Sequence, residues 1–307
     1  MVGISHIFSC VLVTLTLGDP GANAASSDDV NFYLSGTLSE RQKLRSGVYA
    51  IRGTRSFKDG QIPNSNLSGD VAIFCAFDES RVRLDNVEGV FTTKRDLTTI
   101  RRKYFRTDDE SAVWLADKKT IWIQKPNAVM AGQFLFLDAR AVGITTWNYV
   151  NDSRGSKLEK TISAYASGAS QKSVEKMDDN LVQLVFVSNF TGRREELRLW
   201  IAPAQGYTVR LLESRTWTGD GKSEGWQVNE RTITSWKEIN GAWVPVASDM
   251  RKFRQTAEQG LDLKFDWQAV NEAVDAKYFT PAGFNTSEAT RIVDTRGDEP
   301  VVVRDPR

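Results

Sequence analysis

With 307 residues, 40% of them hydrophobic and 10% aromatic, the chain has material for one large domain or two ordinary ones and lacks a disordered composition. Forty Lys and Arg stand against 39 Asp and Glu, a formal net charge of +1 with both signs scattered, which argues against a nucleic-acid groove or an acidic tail.

The chain opens with "IFSCVLVTLTLG" (7–18), an apolar run too short to span a bilayer comfortably. Ala22-Asn23-Ala24 follows with the small-x-small pattern of a cleavage site. No Lys or Arg precedes the run. These features predict a secretory signal peptide over 1–24 and a periplasmic or secreted protein of the bacterial envelope. Cys10 lies inside the run rather than after it, so a soluble exported chain is expected rather than a lipoprotein. Cys75 then stands alone, in phase with Val71, Ile73 and Phe77, and reads as a buried thiol.

The one histidine, His6, belongs to the signal. A mature chain without histidine excludes Ser-His-Asp and Cys-His catalysis, histidine zinc sites and histidine general bases. Phosphate-loop, dinucleotide and calcium-loop spacings are missing too. A paired-carboxylate glycosidase survives this exclusion. Even so, Asp108-Asp109-Glu110 and Asp178-Asp179 read as solvated loops.

The mature chain begins with a helical stripe in 30–47, Leu34, Leu38 and Leu44, stopping near Gly47. Strand-like runs follow at 48–57, 70–78, 81–87, 99–107, 111–117 and 120–125, with Lys118-Lys119 at a hairpin tip. The run 133–147 is apolar and breaks at Gly143. Residues 151–171 predict a helix capped by Asn151, Asp152 and Ser153, ended by Gly168, with Leu158, Ile162 and Tyr165 on one face. Strands resume at 180–188, apolar on both faces. In "REELRLWIAPAQGYTVRLLESR" (194–215), Leu197, Leu199 and Ile201 alternate on one strand and Tyr207, Val209 and Leu211 on the next. "TGDGKSEG" (218–225) is a hairpin tip at Asp220-Gly221, and Asn240-Gly241 is a second, within 225–253. Leu261, Leu263, Phe265 and Trp267 alternate cleanly. Residues 269–281 predict a short helix before Pro281, and 284–307 form a polar C-terminal tail or edge segment.

Strands joined by short turns pair antiparallel. The predicted class is mainly β (α+β): a large antiparallel sheet curled into an open or half β-barrel, with two or three covering helices, as one domain over 25–283. Its interior could be packed or could be the wall of a cavity, with Leu197, Leu199, Ile201, Tyr207, Val209, Leu211, Leu261, Leu263, Phe265 and Trp267 as candidate lining. Trp200, Trp243 and Trp267 read equally as packing or as a sugar platform.

The segments "LRLWIAPAQGYTVRLLES", "KEINGAWVPVA" and "FDWQAVNEAVDAKYF" resemble the periplasmic lipoprotein-carrier superfamily, the outer-membrane lipoprotein-sorting proteins and related lipid-binding lipoproteins, over roughly residues 30–283. The resemblance implies an open β-barrel with a helical lid, a hydrophobic cavity for acyl chains, and no catalysis. Arg52, Arg55, Arg81 and Arg83 all compete for that superfamily's lid-latching arginine, and none is assigned. The expected function is to hold a lipid or lipoprotein acyl chains, without cofactor or metal. The expected partners are that ligand and an envelope protein; nucleic acid, stable membrane insertion and oligomerisation are not expected. The alternatives are an envelope interaction or stress-sensing module with a packed core, and the glycosidase.

Overall fold

A computed structural model describes residues 27–60, 67–91, 97–126, 139–144, 158–218, 225–254, 256–284, 289 and 291–304. The expected signal peptide, the Asn151–Ser153 cap, the Asp220-Gly221 tip and most of the 133–147 run lie outside them.

Helix α1 (Ser27–Gln42) leads into strands β1 (Gly47–Asp59), β2 (Leu67–Phe77), β3 (Val82–Phe91), β4 (Leu97–Arg106), β5 (Ser111–Leu115) and β6 (Thr120–Gln124). Helix α2 (Leu158–Gly168) introduces β7 (Gln171–Lys176), β8 (Val182–Phe190), β9 (Arg193–Ala202), β10 (Thr208–Thr218), β11 (Gly225–Ile239), β12 (Ala242–Arg254) and β13 (Ala257–Val270). Last come β14 (Arg291–Asp294) and β15 (Val301–Arg304).

The fifteen strands among the described residues form one sheet in the order β15-β14-β6-β5-β4-β3-β2-β1-β13-β12-β11-β10-β9-β8-β7. It is an open, curled sheet: two meanders run outward from a seam where β1 pairs antiparallel with β13, Gly47 opposite Val270 and Asp59 opposite Ala257. The meanders follow from sequence, because each strand alternates and each connection is a turn. Asn240 and Gly241 both take positive φ (49° and 74°), the mirror-image turn that suits strand twist.

Three elements differ from expectation. The sheet is mixed rather than wholly antiparallel, because β14 runs parallel to β6; that β14 and β15 of the 284–307 segment form an edge is one of the two outcomes expected for it. The predicted helix over 269–281 is instead the end of β13 and two short 3-10 turns, Ala276–Phe279 and Pro281–Phe284. Asn271 breaks it: its φ is 56°, its N–H donates to Ser46 O (2.9 Å) and its side chain accepts from Arg45 N (2.9 Å). The cap at Asp275 then leaves only four residues before Thr280-Pro281. The third difference is a shift in strand phase within β10.

That shift is a β-bulge. Val209 pairs with Ile201, but Leu211 pairs with Trp200 and Leu212 with Leu199. Leu212, not Leu211, therefore faces the core. The result is a buried row across six strands: Leu184, Leu199, Leu212, Thr232, Met250 and Leu261, each opposite the next. None is more than 2% exposed. The row joins two apolar clusters. One, with Leu199, Ile201, Val209 and Leu212, lies under α1 and α2; the other, with Ile51, Met250, Leu261, Leu263 and Phe265, takes Ala139 and Val142 of the 139–144 turn.

On the opposite face Arg198, Glu213 and Arg231 stand in register. Glu213, almost fully buried, is clamped by Arg215 and Arg231 (2.7 Å), and Glu196 pairs with Arg198. Core on one face and ion pairs on the other is the division expected of a half-buried sheet.

Candidate functional site

The cover over the apolar row consists of α1, α2 and the 139–144 turn. It meets the sheet mainly through side chains. Thr37 Oγ1 donates to Tyr207 O (3.1 Å), Arg41 Nη1 to Trp243 O (3.1 Å), and Tyr49 Oη accepts from Ala139 N (3.2 Å). Within the cover, Tyr165 Oη donates to Ile144 O (2.9 Å) and Gln42 to Glu159 (3.0 Å).

Close approach is built into the sequence at small residues. A Cβ on Gly36, in the middle of α1, would come within 2.6 Å of the Tyr207 ring, so glycine lets the helix settle on the β9–β10 turn. Gly206 in that turn has φ 61° and lies against the Trp243 indole, where a Cβ would come within 2.2 Å.

The buried stripe of α1 runs Val30, Leu34, Thr37 and Arg41 and is continued just past the helix by Leu44, all 3% exposed or less. Its spacing is that of one helix face, yet two members are polar, and one carries a charge. Arg41 is 1% exposed and sits between Leu34 of one apolar cluster and Leu44 of the other. Its guanidinium lies over the Trp236 ring, 3.8 Å from the centroid. Trp236 itself donates to Val209 O (2.9 Å). Beyond Nη1, Arg41 is unsatisfied: Nε and Nη2 are fully buried with no hydrogen-bond partner among the described residues. Burial pushes its pKa down to about 9, with Glu40 pulling the other way. Glu40 is itself bonded to Lys43.

A second buried arginine shows what a satisfied one looks like. Arg83, 2% exposed, pairs with Asp85, donates to Tyr278 O (3.3 Å) and Gly283 O (3.2 Å), and lies over Phe284. Arg81 pairs with Asp78. The arginine left incomplete is Arg41, which sequence reading passed over because a charge on a helix reads as solvent-facing.

Other polar groups gather near it. Thr234 and Ser248, both buried, share a hydrogen bond (3.4 Å). Gly143 of the cover approaches Val209 O, Thr234 Oγ1 and Trp236 together. The covered face is thus apolar at both ends and polar in the middle.

The candidate lining residues divide accordingly. Leu199, Ile201 and Val209 are buried in the cluster under the helices, with Leu197 and Tyr207 packed at its margin. Leu261, Leu263 and Phe265 are buried in the other cluster, where Trp267 packs against Tyr49 and donates to Pro245 O (2.8 Å). Leu211 is turned away by the bulge, and its place is taken by Leu212. Among the described residues no three His, Cys, Asp or Glu side chains gather as metal ligands.

No protein-family model and no curated protein sequence matches the chain. Its outline is similar to solved structures. One is a DUF1329 family protein from Desulfovibrio piger (9% identity, 83% of this chain and 98% of that one, TM-score 0.45). Another is an outer membrane lipoprotein-sorting protein domain from Vibrio parahaemolyticus (12% identity, 84% and 99%, TM-score 0.42). A third is a porin-like protein from Bacteroides uniformis (9% identity, 73% and 96%, TM-score 0.20).

A polar groove of about 800 Å³ lies elsewhere, between the end of α1, the β2–β3 turn and the residues after β13, lined by Lys43, Arg45, Asp78, Arg81 and Glu272 among others. Its charges are of both signs, and Ala273 and Val274 supply the apolar part of its lining.

Proposed function

We propose that the protein is an exported carrier that holds a lipid or the acyl chains of a lipoprotein between the curled sheet and its cover, without covalent chemistry. The observation that carries this reading is the buried row from Leu184 to Leu261, which makes one continuous buried face across six strands, apolar except at Thr232. Its cover is tied down by a handful of side-chain bonds. A ligand chain would take over the contacts that Val30, Leu34 and Ile162 of the cover make with this face, and each buried methylene of a ligand contributes about 0.8 kcal/mol. No helix among the described residues is long and apolar enough to cross a membrane. The glycosidase reading draws no support from the most buried carboxylates, because Glu213 and Glu196 are clamped by arginines and Glu230 is paired with Lys252 (3.0 Å).

The test is native mass spectrometry on protein purified without detergent from a periplasmic fraction. A mature chain beginning near Ala25, with extra mass that organic solvent releases as lipid, is the expected result. Protein that carries no lipid and takes up none after solvent extraction and refolding overturns the proposal.

A further inference from the structure

We infer that Arg41 is the head-group receptor of this site, so that its ligand is an anionic amphiphile: an alkyl chain ending in one oxyanion, carboxylate or phosphate. This rests on the carrier reading and narrows it. Three features of Arg41 point the same way. Its guanidinium is buried at the junction of the two apolar clusters, where a chain lying along the row would end or turn. Its face is held by Trp236 and one end by Trp243 O, so its orientation is set before any ligand arrives. The two nitrogens left without partners, Nε and Nη2, form the side-on edge of the guanidinium, and that edge presents two parallel N–H groups at the spacing of two oxyanion oxygens.

The surroundings fit the same ligand. No carboxylate hydrogen-bonds or ion-pairs with Arg41 among the described residues, so an incoming anion meets no competitor. At neutral pH the guanidinium stays charged even with its pKa drawn down to about 9. A neutral lipid would leave that charge buried and half-bonded, whereas an oxyanion would satisfy it.

The experiment compares three probes of one chain length on lipid-free protein: palmitate, hexadecyl phosphate and hexadecanol. Affinities are read by displacement of an uncharged fluorescent alkyl probe. Wild type is expected to bind the better of the two anions at least about ten-fold more tightly than the alcohol, and the tighter anion names the head group. Arg41→Met is expected to keep hexadecanol binding and to lose the anion preference. Arg41→Lys, which keeps charge but not the two-pronged edge, should fall between. Equal binding of anions and alcohol by wild type overturns the inference and leaves the carrier reading standing. Binding of none of the three overturns both. Inorganic phosphate that competes as well as hexadecyl phosphate overturns the amphiphile class. Should Arg41→Met fail to fold, the wild-type ratio and Arg41→Lys still decide.

Discussion

The guanidinium of Arg41 lies 3.8 Å from the ring centre of Trp236, and that ring, with Trp243 O, is its main compensation for leaving water. Drawing the Arg41 pKa from the ordinary arginine range down to about 9 corresponds to a cost on the order of 5 kcal/mol. Ligand-free Arg41→Met is therefore expected to match or exceed wild type in Tm at pH 7. The sign with pH follows from proton binding. From about pH 9 up to the ordinary arginine range the unfolded chain holds the Arg41 proton and the folded chain sheds it, so stability from this group rises with pH there. The advantage of Arg41→Met should be full below pH 9 and shrink above it. A constant difference between the two proteins across pH 7 to 10.5 in urea titrations would contradict this.

The bulge in β10 gives a paired prediction. Leu212 is fully buried in the row, whereas Leu211 faces the other way opposite Trp200. Leu212→Ala should cost about 2–5 kcal/mol, and Leu211→Ala clearly less. Urea denaturation of both variants checks it; equal costs would mean the strand keeps an unbroken two-residue beat.

Glu213 is nearly inaccessible and flanked by Arg215 and Arg231. Glu213→Gln removes the charge that both arginines face. The arginines retain partial access to water, so the loss should sit below that of a fully buried pair, about 2 kcal/mol. It should be measurable as a lower urea midpoint with an unchanged slope.

Two glycines with positive φ separate backbone strain from crowding. Gly192 (φ 76°) has open space where a Cβ would go, so Gly192→Ala should cost about 1 kcal/mol. Gly206 (φ 61°) has the Trp243 indole there instead. Gly206→Ala should cost more, and should also displace Trp243, visible as a change in tryptophan fluorescence that Gly192→Ala does not produce.

Much of the architecture was legible because strands advertise themselves by alternation. Six strands, a helix ending at Gly168, then six more follow from that beat, while β7 does not announce itself, and Asn240-Gly241 marks its turn by the φ that only such residues adopt readily. Four things were not legible, for separate reasons. A bulge inserts one residue without any signal in side-chain type, so Leu211 was read for Leu212. The seam between β1 and β13 and the parallel β14 are long-range pairings, invisible to local patterns. Asn271 ended a helical-looking stretch through hydrogen bonds to residues far away in sequence. Arg41 was missed because pattern reading assigns charges to solvent; the available clue was its position, seven residues after Leu34 and four after Thr37, on the face that must be buried.

The seam has a consequence for how the molecule comes into being. Every hairpin on either side can form from neighbouring residues, but β1 must wait for β13, which is synthesised near the end of the chain. Closing so large a loop carries most of the entropic barrier, and proteins dominated by such distant pairings fold slowly. Until the last long strand arrives, β1 offers an unpaired edge. A chain exported unfolded would reach the far side of the membrane before that edge is matched, so the same topology that opens a broad apolar face also leaves a nascent species that needs protection from aggregation.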